Sequence, residues 1–508
     1  MNTFNLKVLL VLLLLMGANG CSKSPLAQHD WGEGIENFAP ARLLSNADGR
    51  YNHWQSIARV KVDEGRICSG SLIDTRGAND DRSGPAYVLT SGHCAKGNVG
   101  RFIVNEPASG QATFNFFRDT TPQQKNYPIT RIAWSTLRGQ DIALLVLDRT
   151  LGQVMNDGIQ PLKVASHALT EGTDTLVVGA AVDDFIQRSA CPQEHRAGIL
   201  EAGWVWVDQI SNRCLGVING ISGSPLLNRY TNEIVAVIGT TTRDSGRSRC
   251  SISAPCEVIE GMPNKAQDTN YSTPANGLDT CFRGGRFVGD REPCVLGPVS
   301  EFGSKYGDHF LKQPRDEQGN YLPLLWEHRF SSNQPFFRFK YTRTAENCAD
   351  IRDYSEVRTT DSGGESELRY ELRQGPGLYF LCVMGQNHQA GPPGKWDARN
   401  ARIFWRWVLA EPAQMAPVFN ITNRGEGVYS VAPSQVTPDL DVAGHQYKIG
   451  TSATIDCQQA EGYKQVRPPL LDFEVDTSDG EKKICLKTVD MAGNPSPVID
   501  FRLPDAAP

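Results

Sequence analysis

The chain has 508 residues, 40% hydrophobic and 21% charged, a globular composition long enough for more than one domain. A net charge of −6 and a pI near 5.9 argue against a generally basic surface for nucleic acid or anionic lipid.

In chain order, Lys7 precedes an apolar core from Val8 to Met16, followed by Gly17-Ala18-Asn19-Gly20-Cys21. That core is too short to span a bilayer and reads as an export signal over residues 1–20. Two readings of its end stay open. The small residues before Cys21 resemble a bacterial lipobox, with Ala18 where leucine is usual. Cys21 would then carry a lipid, and Ser22 after it leans towards the outer membrane. The other reading is ordinary cleavage after Gly20, giving a secreted or periplasmic protein. Residues 21–50 are polar without a hydrophobic period and read as a tether.

Across 51–262 the pattern becomes short apolar runs: Ile57 to Val62, Cys68 to Ile73, Tyr87 to Leu89, Arg101 to Val104, Ile142 to Leu147, Thr175 to Gly179, Gly203 to Val207 and Ile234 to Ile238. Each is strand-length and bounded by Gly, Pro, Asn or Asp, which predicts an all-β barrel or sandwich. Three stretches carry chemistry. His93 ends the run Tyr87-Val88-Leu89-Thr90-Ser91-Gly92-His93-Cys94, Asp141 opens Asp141-Ile142-Ala143-Leu144-Leu145, and Ser222 sits in Asn219-Gly220-Ile221-Ser222-Gly223-Ser224-Pro225. A serine in a glycine-rich turn has an accessible hydroxyl and free backbone N–H groups nearby, as an acyl-transfer nucleophile requires. The order His93, Asp141, Ser222 is one of the known orders of the Ser-His-Asp triad.

These residues resemble the chymotrypsin-like (trypsin-fold) serine proteases. Thr90-Ser91-Gly92-His93-Cys94 is similar to the family's T-A-[AG]-H-C, Asp141 to Leu145 to its D-I-A-L-L, Gly220 to Pro225 to its G-D-S-G-[GS]-P, and Cys68-Ser69-Gly70-Ser71-Leu72-Ile73 to its C-x-G-[ST]-L-I strand. The resemblance covers about residues 50–262. It implies a double six-stranded β-barrel with the active site between the barrels and a Cys68–Cys94 disulfide. It also implies His93 as general base and then acid, Asp141 as its orienting partner and Ser222 as nucleophile, with the N–H groups of Gly220 and Ser222 as oxyanion hole. Two departures stand out. Ile221 replaces the aspartate that pairs with a new N-terminal amine in activated members, and no R-I-V-G-G-type site precedes the first strand, so no zymogen cleavage is expected. Gly216 stands at the pocket floor, where trypsin-like members carry aspartate, which puts preference for Lys or Arg in doubt. Gly239, Thr240 and Thr241 are expected as pocket wall, and Arg243 just beyond would favour an acidic side chain.

Residues 263–318 read as an extension stapled by Cys281 and Cys294. The rest carries an internal repeat: Cys348-x5-Tyr354-x2-Val357-Arg358 returns as Cys457-x5-Tyr463-x2-Val466-Arg467, followed by Leu381-Cys382 and Ile484-Cys485. This resembles two bacterial immunoglobulin-like modules, at 319–411 and 418–508, with Asp490-Met491-Ala492-Gly493-Asn494 as a closing turn. Besides Cys21, twelve cysteines remain, enough for six disulfides in an oxidising compartment. Sequence order suggests Cys68 with Cys94, Cys191 with Cys214, Cys250 with Cys256, Cys281 with Cys294, Cys348 with Cys382 and Cys457 with Cys485. The first pairing has the support of the resemblance and the last two that of the repeat, whereas Cys191 with Cys214 rests on order alone. No CxxC and no histidine at ligand spacing supports a metal, and no cofactor is expected. Trp204, Trp206, Trp405 and Trp407 read as core or sheet-face residues, with sugar binding by the last pair as the other reading.

The expected function is an exported, surface-tethered serine endopeptidase acting on protein or peptide substrates. It would have no nucleic-acid partner, would meet the membrane only through a lipid on Cys21, and would have C-terminal modules for an unknown surface partner. The alternative is a non-catalytic surface binding or adhesion protein on a degenerate protease scaffold.

Overall fold

The apolar runs become strands because each can bury one or both faces. In a computed structural model, residues 28–504 are described except 64, 96–100, 247, 290–292, 298–299, 305–308, 362–363, 392–394, 435–438 and 467–472. The export signal and Cys21 lie outside the described residues. Six strands, β1 (Ile57–Val62), β2 (Ile67–Leu72), β3 (Pro85–Thr90), β4 (Ile103–Phe114), β5 (Lys125–Thr136) and β6 (Ile142–Thr150), close a barrel in the order β1-β2-β3-β6-β5-β4. Strand β6 shows why its run is continuously apolar. Ala143, Leu145 and Leu147 point into this barrel, while Ile142, Leu144 and Val146 face the layer between the barrels.

The second barrel repeats the plan with β7 (Asp174–Ala180), β8 (Ile186–Glu201), β9 (Trp204–Asn212), β10 (Pro225–Asn228), β11 (Ile234–Thr241) and β12 (Asn270–Pro274). Their pairings close a ring β7-β8-β9-β12-β11-β10, the same order as in the first barrel. Trp54, Leu89, Trp134, Leu176, Val178 and Val237 form the apolar layer joining the two.

Three expected divisions of the chain are corrected, the third at the start of the first sandwich. The barrel does not end at 262, because β12 lies inside the stretch read as an extension and pairs with β9 and β11. Its sequence, Asn270-Tyr271-Ser272-Thr273-Pro274, hides this role: it is buried through hydroxyl and amide hydrogen bonds rather than aliphatic side chains. Residues 28–50 are not a free tether. Arg42–Leu43 pairs with β8, Asp30 bridges Arg229 at 2.7 Å, and Ile35 and Leu44 enter the inter-barrel layer.

Beyond the barrels stand two β-sandwiches. The first faces a three-stranded sheet (Phe302–Ser304, Leu324–Ser332, Glu365–Leu372) against a five-stranded one (Phe310–Lys312, Phe336–Thr342, Arg358–Thr359, Gly377–Gln386, Arg402–Leu409), so it begins near 302 rather than 319. Trp326, Phe330, Leu381 and Phe404 fill it. The second pairs Phe419–Gly425, Val428–Pro433 and Phe473–Asp476 against Val442–Thr451, Lys464–Val466, Lys482–Asp490 and Ile499–Leu503, around Val431, Val475 and Leu486.

Six disulfides tie these parts: Cys68–Cys94, Cys191–Cys214, Cys250–Cys256, Cys281–Cys294, Cys348–Cys382 and Cys457–Cys485. They are the pairs that sequence order suggests, and they mark an oxidising compartment outside the cytoplasm. Cys191 of β8 and Cys214, two residues past β9, are both fully buried in the core of the second barrel. Their bond pins the start of the Ser222 loop to the β-sheet. Among the described residues no helix is long and apolar enough to cross a membrane.

Candidate active site

The site forms where β3, β6 and the loop before β10 meet between the barrels. Strand β3 ends at Thr90, whose hydroxyl donates to the Ser69 carbonyl at 2.7 Å, and Ser91 donates across to the Ile238 carbonyl at 2.7 Å. One helical turn, Gly92–Ala95, then presents His93 and is stapled to β2 by Cys68–Cys94. Gly92 is required because a Cβ there would collide with the Thr136 carbonyl. Asp141, fully buried, accepts the His93 backbone N–H at 2.9 Å on Oδ1 and meets His93 Nδ1 at 2.7 Å on Oδ2. Its own N–H donates to Thr273 Oγ1 of β12 at 3.1 Å. Burial works against an imidazolium here, but the Asp141 charge and hydrogen bond outweigh it and hold the His93 pKa above the ordinary histidine value.

The Ser222 loop is shaped by two left-handed glycines, Gly220 (φ +95°) and Gly223 (φ +85°). A side chain at Gly223 would strike the Ser69 carbonyl, and one at Gly220 the backbone of Val182. Ile221 answers the missing aspartate in physical terms: it is fully buried in the apolar core of the second barrel with Val177, Leu226 and Ile238. Packing therefore anchors this loop where an ion pair would otherwise be needed. The N–H groups of Ile221, Gly223 and Ser224 are engaged by Ile218, Ile238 and Ile221 carbonyls. Those of Gly220 and Ser222 have no acceptor among the described residues and remain available. Ser222 Oγ donates to the Gly239 carbonyl at 3.3 Å rather than to the His93 ring.

Ser222 and His93 line one open cleft of about 1150 Å³ together with Gly220, Gly239, Thr240 and Thr241. Two specificity expectations are corrected. Gly216 does not line the cleft; it packs against Ala41 and Gln187, whose side-chain amide donates to the Gly216 carbonyl at 2.7 Å. Arg243 turns to the Asp268 carbonyl at 3.3 Å and does not line the cleft either. Trp405 and Trp407 are buried between the second barrel and the first sandwich, and Trp405 Nε1 donates to the Gly203 carbonyl at 3.0 Å, so both serve as core residues of that junction. Cys68, His93 and Cys94 bring possible ligand atoms together, but both sulfurs are consumed by the disulfide.

One cleft residue was not anticipated. Glu201 ends β8 at the left-handed two-residue turn Ala202-Gly203 (φ +49° and +91°), paired across the hairpin with Trp204. It is 7% exposed, and burial lifts its pKa to about 7. The only trace in sequence is an acidic residue closing the run Ala197-Gly198-Ile199-Leu200.

With this geometry in place, residues 68–237 match the family model described as trypsin-like peptidase domain. They form a trypsin-like peptidase domain. No curated protein sequence matches the chain. Among solved structures, the peptidase part is similar to the active form of Rv3671c protease from M. tuberculosis, at 14% identity, covering 50% of this chain and 90% of that one (TM-score 0.31). It is similar to the MamO protease domain from Magnetospirillum magneticum, at 14% identity over 44% of this chain and 93% of that one (TM-score 0.29). It is likewise similar to human heparin binding protein, at 15% identity over 47% and 92% (TM-score 0.30).

Proposed function

We propose that the peptidase domain is a serine endopeptidase working through His93, Asp141 and Ser222. The observation that carries this reading is the Asp141-held His93 ring, 2.7 Å from its carboxylate, sharing one cleft with Ser222 and two unengaged N–H groups. Ser222 Oγ leaves the Gly239 carbonyl and attacks the scissile carbonyl as His93 takes its proton. The N–H groups of Gly220 and Ser222 stabilise the oxyanion, and Asp141 stabilises the imidazolium. His93 returns the proton to the leaving amine, and water hydrolyses the acyl-enzyme by the same route. The protein is exported, through a lipid on Cys21 or as a free secreted form. Its two sandwiches are immunoglobulin-like modules that place the enzyme or hold a surface partner.

Labelling of the full mature protein by a fluorophosphonate tests this. Modification at Ser222, lost in His93→Ala, is the expected result, with peptidase activity reduced by about 10⁴-fold or more in Ser222→Ala. A folded, disulfide-complete sample that never labels would leave the non-catalytic binding protein as the better reading.

A further inference from the structure

Glu201 is built into the cleft at some expense to the fold. The hairpin turn delivers it beside Trp204, and the short loop closed by Cys250–Cys256 folds over it. Within that loop Ser253, in a left-handed conformation (φ +58°), donates its N–H to Glu201 Oε1 at 2.6 Å, and Cys250 accepts the Ala202 N–H at 2.8 Å. Glu201 Oε2 is buried and accepts no hydrogen bond among the described residues. No Lys or Arg pairs with the carboxylate among them either. A buried carboxylate left half-satisfied is unfavourable unless a partner arrives from outside.

The surroundings specify that partner. Trp204, Trp206 and Leu137 line the cleft with Glu201, giving apolar surface for a long aliphatic stem. Ile252 of the disulfide loop stands 60% exposed on the same cleft. The Thr240 hydroxyl lies near enough to favour the charged carboxylate, and His93 shares its field.

We propose that Glu201 is the specificity-determining residue of this cleft, accepting the ammonium or guanidinium head of a Lys or Arg side chain of a polypeptide substrate close to the scissile bond. The proposal deepens the endopeptidase reading and rests on it for the fate of the bound peptide. It moves charge selection from the pocket floor, where Gly216 offers nothing, to the β8–β9 hairpin. Burial lifts the Glu201 pKa to about 7, so about half of the carboxyls hold a proton at neutral pH, and an arriving cation would displace it.

The test uses the full mature protein with Glu201→Gln, which preserves shape and the Ser253 hydrogen bond. Peptide libraries varied one position at a time are expected to show a Lys/Arg preference in the wild type. In Glu201→Gln that preference falls by about 100-fold in kcat/KM while neutral peptides change less than about 3-fold. Glu201→Gln must still label at Ser222, which shows that the nucleophile is assembled; because the Glu201 charge helps hold the His93 pKa up, the labelling rate of each protein is read at its own pH optimum. A second measurement does not need catalysis: calorimetric binding of a Lys-containing peptide to Ser222→Ala, expected to weaken about 100-fold when Glu201→Gln is added. Unchanged profiles and unchanged binding with normal labelling would overturn the role of Glu201 and leave the endopeptidase intact. Absent labelling with Glu201-dependent peptide binding would keep the cation site and overturn the endopeptidase.

Discussion

The two C-terminal sandwiches share a sequence repeat, yet they relate to the peptidase domain in different ways. The first is fused to it. Its short helix Ala345–Ala349 lies on β8 and β9, so closely that a side chain at Gly198 would strike the Ala345 and Glu346 backbone. Leu200, Val205 and Val207 of the barrel share one core with Cys348, Phe380, Trp405 and Trp407. The turn after Lys395–Arg399 reaches the loop that carries the proposed orienting aspartate. Asn400 Oδ1 accepts from Gln140 Nε2 at 2.6 Å, next to Asp141, and Arg399 donates to the Pro274 carbonyl at 2.6 Å. The second sandwich has its own core and is latched mainly by polar groups, with only Leu440 and Ala492 of its described residues packed against the shared core. Arg249 donates its N–H to Asp439 at 2.9 Å and meets Asp441 at 3.0 Å, while Asn494 donates to the Leu409 carbonyl at 3.4 Å. A repeated motif thus specifies a fold twice, whereas docking is specified by residues outside the motif.

The largest effect should come from breaking the latch. Asp439 and Asp441 are almost wholly buried, and burial lifts both pKa values, that of Asp439 to about 6, against the pull of Arg249. Arg249→Leu would strand two buried carboxylates and destabilise the second sandwich by about 3 kcal/mol at pH 8. A raised folded pKa means stability present below the unfolded value and lost as pH rises through the folded one. Without Arg249 the Asp439 carboxyl holds its proton to higher pH, so the deficit should shrink as pH falls from 8 towards about 6, where the wild-type carboxyl is protonated as well. Hydrogen exchange resolved by segment would place the loss in 418–504, with fluorophosphonate labelling of Ser222 unchanged.

A change in the first sandwich should act the other way, modest in stability but felt at the site. Asn400→Leu leaves the fully buried Gln140 amide without its acceptor, for about 1–3 kcal/mol. Because Gln140 adjoins Asp141, the labelling rate should fall by about 10-fold or more, and Asn400→Asp, which keeps an acceptor, should restore most of it. Loss of stability with an unchanged labelling rate would show the contact to be a brace for the fold alone.

The junction also carries a pH signature. Glu346 accepts the Asp208 N–H at 2.8 Å, and burial lifts its pKa from 4.5 to about 7. The fold prefers the neutral carboxyl, so wild-type stability declines as pH rises from the unfolded value through about 7. Glu346→Gln keeps the acceptor and should be more stable by up to about 3 kcal/mol at pH 8, with the two curves converging near pH 4. Denaturant unfolding at both pH values measures the difference.

What could be read in advance follows the same division. His93, Asp141 and Ser222 announce themselves because each sits in a local pattern whose residues shape its own turn, as Gly92, Gly220 and Gly223 do. The Cys-Tyr repeat and the six cysteine pairs are legible for a similar reason, since even Cys191 and Cys214 are joined to their nearest neighbour in the cysteine order. Strand β12, the packed segment 28–50, Glu201 and the Asn400 contact are not, because their partners lie far away in sequence. Asn270 and Thr273 look like loop residues until Asn212 and Gln209 stand opposite them. Gly216 departs from the expected pocket floor for the same cause: Ala41, from a segment that reads as a tether, determines what it touches.

The smallest effect tests the likeness of the two sandwiches instead of their difference. In the first, Tyr354 donates its hydroxyl to the Cys348 carbonyl at 2.8 Å, and in the second Tyr463 does the same to Cys457 at 2.8 Å. The x5 spacing of the repeat has this bond as its physical content: the tyrosine closes the loop back onto the carbonyl of the disulfide cysteine six residues earlier. Each ring also faces a lysine, Lys340 at 4.5 Å and Lys487 at 3.9 Å from the ring centroids. Phenylalanine keeps the ring and removes only the hydroxyl, so Tyr354→Phe and Tyr463→Phe should each lower stability by about 1 kcal/mol. Tyr354 is the more buried of the two, and burial raises its pKa well above the ordinary tyrosine value, so its carbonyl partner has less access to replacement water. Any inequality should therefore fall on Tyr354→Phe. Equal and small shifts in segment-resolved hydrogen exchange would mark the bond as a shared folding element of both modules; a loss in Tyr463→Phe several times that in Tyr354→Phe would mean that the two copies use the motif differently.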